Sequence, residues 1–126
     1  MDEAQILPPD AEERLNAELA GFERRTRHQL VVVTKPSLEN QPIERYSLAL
    51  ANQLAIGRKR YNDGVMLLVA PHERKVRIEV GKGLENALTN EEAARILEKD
   101  VLPALGRGDF PLGIEAGAKA IIGEAS

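Results

Sequence analysis

Residues 62–85, NDGVMLLVAPHERKVRIEVGKGLE, constrain the fold more than any other stretch, because they combine two strand patterns, a very short connection and polar, glycine-rich ends. Residues 65–70 are an unbroken apolar run of strand length, the pattern of a strand covered on both faces. The run that follows alternates. Val76, Ile78 and Val80 point one way and Lys75, Arg77 and Glu79 the other, which predicts a strand with one wet face at the edge of a sheet. Pro71-His72-Glu73-Arg74 between them is too short for a crossover helix, so the two strands form an antiparallel hairpin. With the turn centred near His72 and Glu73, residue 64 faces residue 81. Asn62 and Asp63 then lie beside Gly81-Lys82-Gly83, with Glu85 just beyond. Gly64, Gly81 and Gly83 let backbone approach a ligand or another chain closely, so this rim is the candidate functional site.

The rest of the chain supplies partners for the hairpin. Pro8-Pro9-Asp10 opens a helix that reaches about Arg27, with Asp10 and Glu13 spaced for a capping box and Leu15, Leu19 and Phe22 on its apolar stripe. Gln29–Thr34 is β-branched and apolar on both faces, which predicts a second central strand. Pro42 opens a second helix, buried along Ile43, Tyr46, Leu50 and Leu54 and ending near Ala55. Strand, helix and strand in that order make a right-handed crossover, so the first two strands are parallel and the sheet is mixed. Thr89 and Glu92 have capping-box spacing for a third helix, which Pro103 is expected to interrupt. A last helix runs over residues 111–122, with Gly113 and Gly117 suited to close packing, before a polar, structureless end at residues 123–126. The expected fold class is α/β, a three-layer α/β/α sandwich around a small mixed sheet.

Composition narrows the function. A chain of 126 residues fits one domain that buries about two-thirds of its unfolded surface and needs no disulfide or metal to fold. The absence of cysteine excludes a zinc–thiolate site and a thiol nucleophile. A net charge of −3 with mixed signs, two Phe, two Tyr and no Trp argue against nucleic-acid binding. No GxxxxGK[ST] loop is present, and Gly81-Lys82-Gly83 follows a strand without directly opening a helix, so no nucleotide is expected; nor is a haem. No apolar run has the length of a membrane-spanning helix, and Met1-Asp2-Glu3 is acidic where a signal peptide is basic. The abrupt start and polar end suggest one domain, residues 1–126, excised from a longer precursor.

Two chemistries suit the rim. Asp63, Glu85, Asn62, Asn90 and Glu91 are oxygen donors of the kind that hold Ca²⁺ or Mg²⁺, although their spacing matches no EF-hand. The plain alternative is that Asp63 caps its turn and Glu85 is merely exposed. In a phosphatase, Asp63 and Glu85 would hold the metal while Lys82 or Arg58 oriented a phosphate; Arg58-Lys59-Arg60 otherwise reads as solvated loop cations. His28 lies toward the rim and His72 at the opposite end of the sheet, so they do not act together.

A set of short elements, in order along nearly the whole chain, resembles the TPM domain family. They are Asp2-x-Ala4-x-Ile6-Leu7, Gln29-Leu-Val-Val-Val-Thr34, Ile56-Gly57, Asn62-Asp63-Gly64-Val65, Arg77-Ile-Glu-Val-Gly81, Gly83-Leu84-Glu85, Leu88-Thr89, Leu102-Pro103 and Gly108-Asp109-Phe110. The resemblance implies an α/β/α sandwich, an extracytoplasmic location tethered through the precursor, and partners in a membrane protein or envelope complex. It also implies divalent-cation binding or acid phosphatase activity, as in some members. Three positions depart from the family pattern. Asn90 stands where Asp is common, which removes a charge from a metal site; Lys82 replaces an aromatic and favours an anion; Pro8 replaces a Ser N-cap.

Overall fold

The computed structural model describes residues 1–54 and 64–126. Its sheet has the order β1-β2-β3, from β1 (Gln29–Thr34), β2 (Gly64–Ala70) and β3 (Lys75–Val80). β1 and β2 are parallel, with Gln29 opposite Gly64, and β2 and β3 are antiparallel, with Val65 opposite Val80. The hairpin register is the expected one: Gly81 N–H donates to Gly64 C=O at 2.7 Å. Its turn closes with Arg74 N–H on Pro71 C=O and Arg74 at φ 57°.

Helices cover both faces, giving the three layers. On one face α1 (Pro9–Thr26), α3 (Asn90–Ile96) and α5 (Phe110–Ala125) enclose Leu30, Val32, Val65, Leu67, Val69 and Ile78. On the other, α2 (Ile43–Gln53) packs Ile43 and Leu50 on Val33, Met66 and Leu68. All seven residues of β2 are buried.

Several local expectations change. β1 is an edge strand, because its apolar pattern records the helices above and below it and not a neighbour on each side in the sheet. The N-terminus covers part of that edge: Met1 N–H donates to Val32 C=O, Thr34 N–H donates to Met1 C=O, and Asp2 bridges Thr34 in parallel. The Asp2 carboxylate accepts the Thr34 hydroxyl at 2.6 Å and the N–H groups of Ile6 and Leu7. Burial pushes this carboxyl up, but those hydrogen bonds and the terminal ammonium outweigh it and hold its pKa below the usual value.

The polar face of β3 is wet only in part, with Lys75 exposed. Arg77 and Glu79 are partly buried on the side of α2, whose apolar stripe includes the buried Ser47. The cap of α1 is Pro8 with no side-chain bond, so the Asp10–Glu13 box does not form; Asp10 pairs with Arg14 one turn on. The Thr89–Glu92 box does form. Pro103 does not interrupt the third helical segment. A π-turn over Leu97–Val101 leads into α4 (Leu102–Gly106), and Leu102 N–H reaches back five residues to Leu97 C=O. The widened turn changes register ahead of a residue that has no N–H to give. The C-terminus is helical to Ala125, itself buried, because it packs into the same core.

α5 sits close to the α4 segment through its glycines. A Cβ on Gly117 would lie 2.7 Å from Val101 Cγ2 and 3.3 Å from Leu67 Cδ2, whereas one on Gly123 would meet nothing within 4 Å. Gly117→Ala should therefore lose about 1–3 kcal/mol in urea unfolding from overpacking. Gly123→Ala, in the same helix, should be neutral or gain up to about 1 kcal/mol from helix propensity.

Across the α3–α5 junction Glu92 faces Glu124. A hydrogen bond to Glu92 and the charge of its carboxylate raise the Glu124 pKa above the ordinary value, with Arg95 opposing. A raised acid contributes stability only once protonated, so this contact strengthens as pH falls through the folded pKa and is repulsive above it. Glu124→Gln should raise the melting temperature at pH 7 and narrow its advantage over wild type as the buffer is acidified through the carboxylate range.

Candidate functional site

The rim at the Gln29 and Gly64 end of the sheet is built by the hairpin register. β3 ends at Val80, Gly81 pairs with Gly64, and a 3₁₀ turn over Lys82–Leu84 buries Leu84 and leaves Lys82 and Glu85 exposed. The turn is closed by Leu84 N–H on Gly81 C=O and Leu88 N–H on Leu84 C=O, so Glu85 is presented from a fixed backbone. A groove of about 280 Å³ lies between this turn and α2, lined by Leu48, Asn52, Gly64, Glu79, Lys82 and Glu85 among others.

Glu79 is the member that pattern reading missed. Its side chain is 18% exposed, and Oε1 accepts both the Ser47 hydroxyl at 2.7 Å and Arg77 Nε at 2.6 Å. Two donors on one oxygen pin the carboxylate against α2. The signal was available at Ser47, a polar residue on the stripe of Ile43 and Leu50, where burial demands a partner.

The structure brings Glu85 and Lys82 to one groove and leaves Asn90 and Glu91 out of its lining, exposed on the first turn of α3. Asp63, Asn62 and Arg58 lie outside the described residues; Asp63 directly precedes Gly64 in the chain. Among the described residues no three His, Asp or Glu side chains gather as a metal would need. His28 stands just before β1, its ring tilted against Phe22 at 6.2 Å, and its buried Nδ1 has no hydrogen-bond partner. His72 is exposed in the hairpin turn at the far end.

Residues 1–124 match the TPM domain. The chain belongs to that family. The TPM fold is shared with the N-terminal domain of a protein from P. gingivalis, 32% identical, at a TM-score of 0.91 over 98% of this chain and 78% of that one. It is shared too with the N-terminal domain of the cg2496 protein from Corynebacterium glutamicum, 17% identical, TM-score 0.77, over 99% and 78% of the two chains. The BA42 protein from the psychrophilic bacterium Bizionia argentinensis, 17% identical, superposes with a TM-score of 0.78 over 96% and 82%. No curated protein matches this TPM domain.

The Ser47–Glu79 contact carries a direct test. Ser47→Ala removes a donor from a half-buried carboxylate and should cost about 1–3 kcal/mol in chemical unfolding. Combined with Glu79→Gln, the loss should be smaller than the sum of the two single changes, since the residues share one interaction.

Proposed function

We propose that this TPM domain is an accessory interaction module of the cell envelope, extracytoplasmic and tethered through a longer precursor, with a divalent-cation site at the rim. The observation that carries the cation site is the groove in which Glu79, Glu85 and Asn52 stand around the Gly64–Gly81 pair, one residue along the chain from Asp63. These are hard oxygen donors, suited to Ca²⁺ or Mg²⁺ and unsuited to a soft metal. The described donors alone fall short of the six to eight oxygens Ca²⁺ takes, roughly, so the fit turns on Asp63 and backbone carbonyls. Two of the similar structures are N-terminal domains of their proteins, which supports a larger precursor here. No helix among the described residues is long and apolar enough to cross a membrane.

One feature favours a second reading. Lys82 lines the same groove as the carboxylates, and a cation beside a metal is the arrangement that holds a phosphate ester. In that phosphatase Asp63 and Glu85 would hold the metal, and Lys82 or Arg58 would orient the phosphate.

Amide NMR during Ca²⁺ and Mg²⁺ titration tests the cation site. Gly64, Gly81, Gly83 and Glu85 should shift at millimolar metal, and Asp63→Ala should abolish the response while Asn90→Ala leaves it within about twofold. An unresponsive rim at millimolar metal refutes the site. Hydrolysis of a phosphomonoester that persists unchanged in Asp63→Ala would remove the phosphatase reading.

A further inference from the structure

We propose that Arg77 is the built-in counter-ion of the rim: by holding Glu79 it leaves the groove a single carboxylate oxygen from that residue and keeps its divalent-cation affinity low. This rests on the cation-site part of the reading above and assigns the residue that sets its strength.

Glu79 Oε1 accepts the Ser47 hydroxyl at 2.7 Å and Arg77 Nε at 2.6 Å. A carboxylate oxygen has about two acceptor sites, so both are filled. A metal that Glu79 binds in the groove therefore takes Oε2 alone, and the bidentate grip that carboxylates often give Ca²⁺ is closed to it. The two donors act differently on the same oxygen. Ser47 is uncharged and buried on α2, so it places the carboxylate without altering the charge that a cation meets. Arg77 brings a full positive charge.

Its position makes that charge effective. Arg77 and Glu79 are two residues apart on β3 and so share a face of the sheet. Glu79 lines the groove and Arg77 does not, which puts the guanidinium behind the carboxylate. A metal on Oε2 would stand roughly 6 Å from that guanidinium, where a dication and a unit charge repel each other enough to cost about tenfold in affinity even at the dielectric of water. Both side chains are partly covered, so salt screens the pair less than it would an open one.

Lys82 does not share this role. It is exposed on the 3₁₀ turn at the end of a flexible stem, and no ion pair among the described residues holds it, so an arriving cation displaces its ammonium. Arg77 is held in place and remains. Of the two carboxylates in the groove, Glu79 and Glu85, one is thus half neutralised, which suits the weak range of extracellular Ca²⁺ modules, about 10⁻⁴–10⁻³ M.

Titrations of Ca²⁺ and Mg²⁺ at low ionic strength, followed at the Gly81 and Glu85 amides, test this in wild type, Arg77→Met, Arg77→Lys and Lys75→Met, with urea unfolding of each. Arg77→Met should bind Ca²⁺ about tenfold more tightly while unfolding at lower urea. A residue that merely props up the site would, when removed, weaken binding. The gain should be larger for Ca²⁺ than for Mg²⁺, and an equal gain would overturn the single-oxygen part. Arg77→Lys keeps the charge and should stay within about threefold of wild type, as should Lys75→Met, the same charge change at the far end of β3. In wild type the Arg77 Nε–H signal should move together with the Glu85 amide. If Arg77→Met does not fold, Arg77→Gln, which removes the charge and keeps a donor, carries the affinity test. A gain below about threefold on losing the charge, or weaker binding, overturns the proposal and leaves the cation site standing where the wild-type rim responds. A rim silent in both proteins refutes both; a silent wild-type rim that responds in Arg77→Met refutes the cation site of the natural protein and supports the restraint by Arg77.

Discussion

Complete burial of β2 is the constraint on which the rest of the molecule depends. A strand with no exposed residue has to be flanked in the sheet on both edges and covered on both faces. That requirement fixes β1 and β3 as its neighbours, sends the β1–β2 crossover through α2 on one face, and assigns α1, α3 and α5 to the other. Because the hairpin turn is only four residues, β3 inherits its register from β2, and the rim follows: Gly81 on Gly64, the 3₁₀ turn beyond it, and Glu85 presented from that turn. The candidate site is in this sense a by-product of core packing.

Two closures keep the layers in place. At the β1 end, Asp2 collects the Thr34 hydroxyl and two backbone N–H groups, tying the first residues to a strand that would otherwise be a bare edge. On the helical side, Gly113 and Gly117 bring α5 so near the π-turn and α4 that Val101 and Ala104 fill the space a side chain would take. The π-turn belongs to this contact. It rotates the helix just before Pro103, so that Val101 and Ala104 face α5 and Leu102 faces solvent.

Much of this was legible because periodicity and turn length report directly on geometry. The hairpin register, the βαβ crossover, the Thr89–Glu92 box and the close approach at Gly113 and Gly117 all follow from residue type and spacing. What escaped has a common physical cause, since a burial pattern says that a residue is covered but not by what. The apolar run of β1 was read as centrality when helices on two faces produce it. Charge predicts Glu79 to be wet, but its side chain is largely covered on the α2 side, where Ser47 and Arg77 supply the compensating bonds. The site residues divide in the same way: Glu85 and Lys82 share a groove, Asn90 and Glu91 do not line it, and Glu79 could be found only by asking what a serine on a buried stripe is bonded to.

The separation of scaffold from rim explains how two of the three family departures can be accommodated. Lys82 and Asn90 are both exposed, one on the 3₁₀ turn and the other on the first turn of α3, and among the described residues neither side chain belongs to the hydrogen bonds that set the backbone around them. A change at either position alters the charge presented to a ligand while Gly81, Leu84 and Thr89 keep the turn geometry. Glu79 is in the opposite position. Held by Ser47 and Arg77 beneath α2, it is part of the packing and of the groove wall together, so its charge cannot be removed without disturbing both. The charge that such a rim presents is set by its exposed residues, while the half-buried carboxylate is fixed together with the packing.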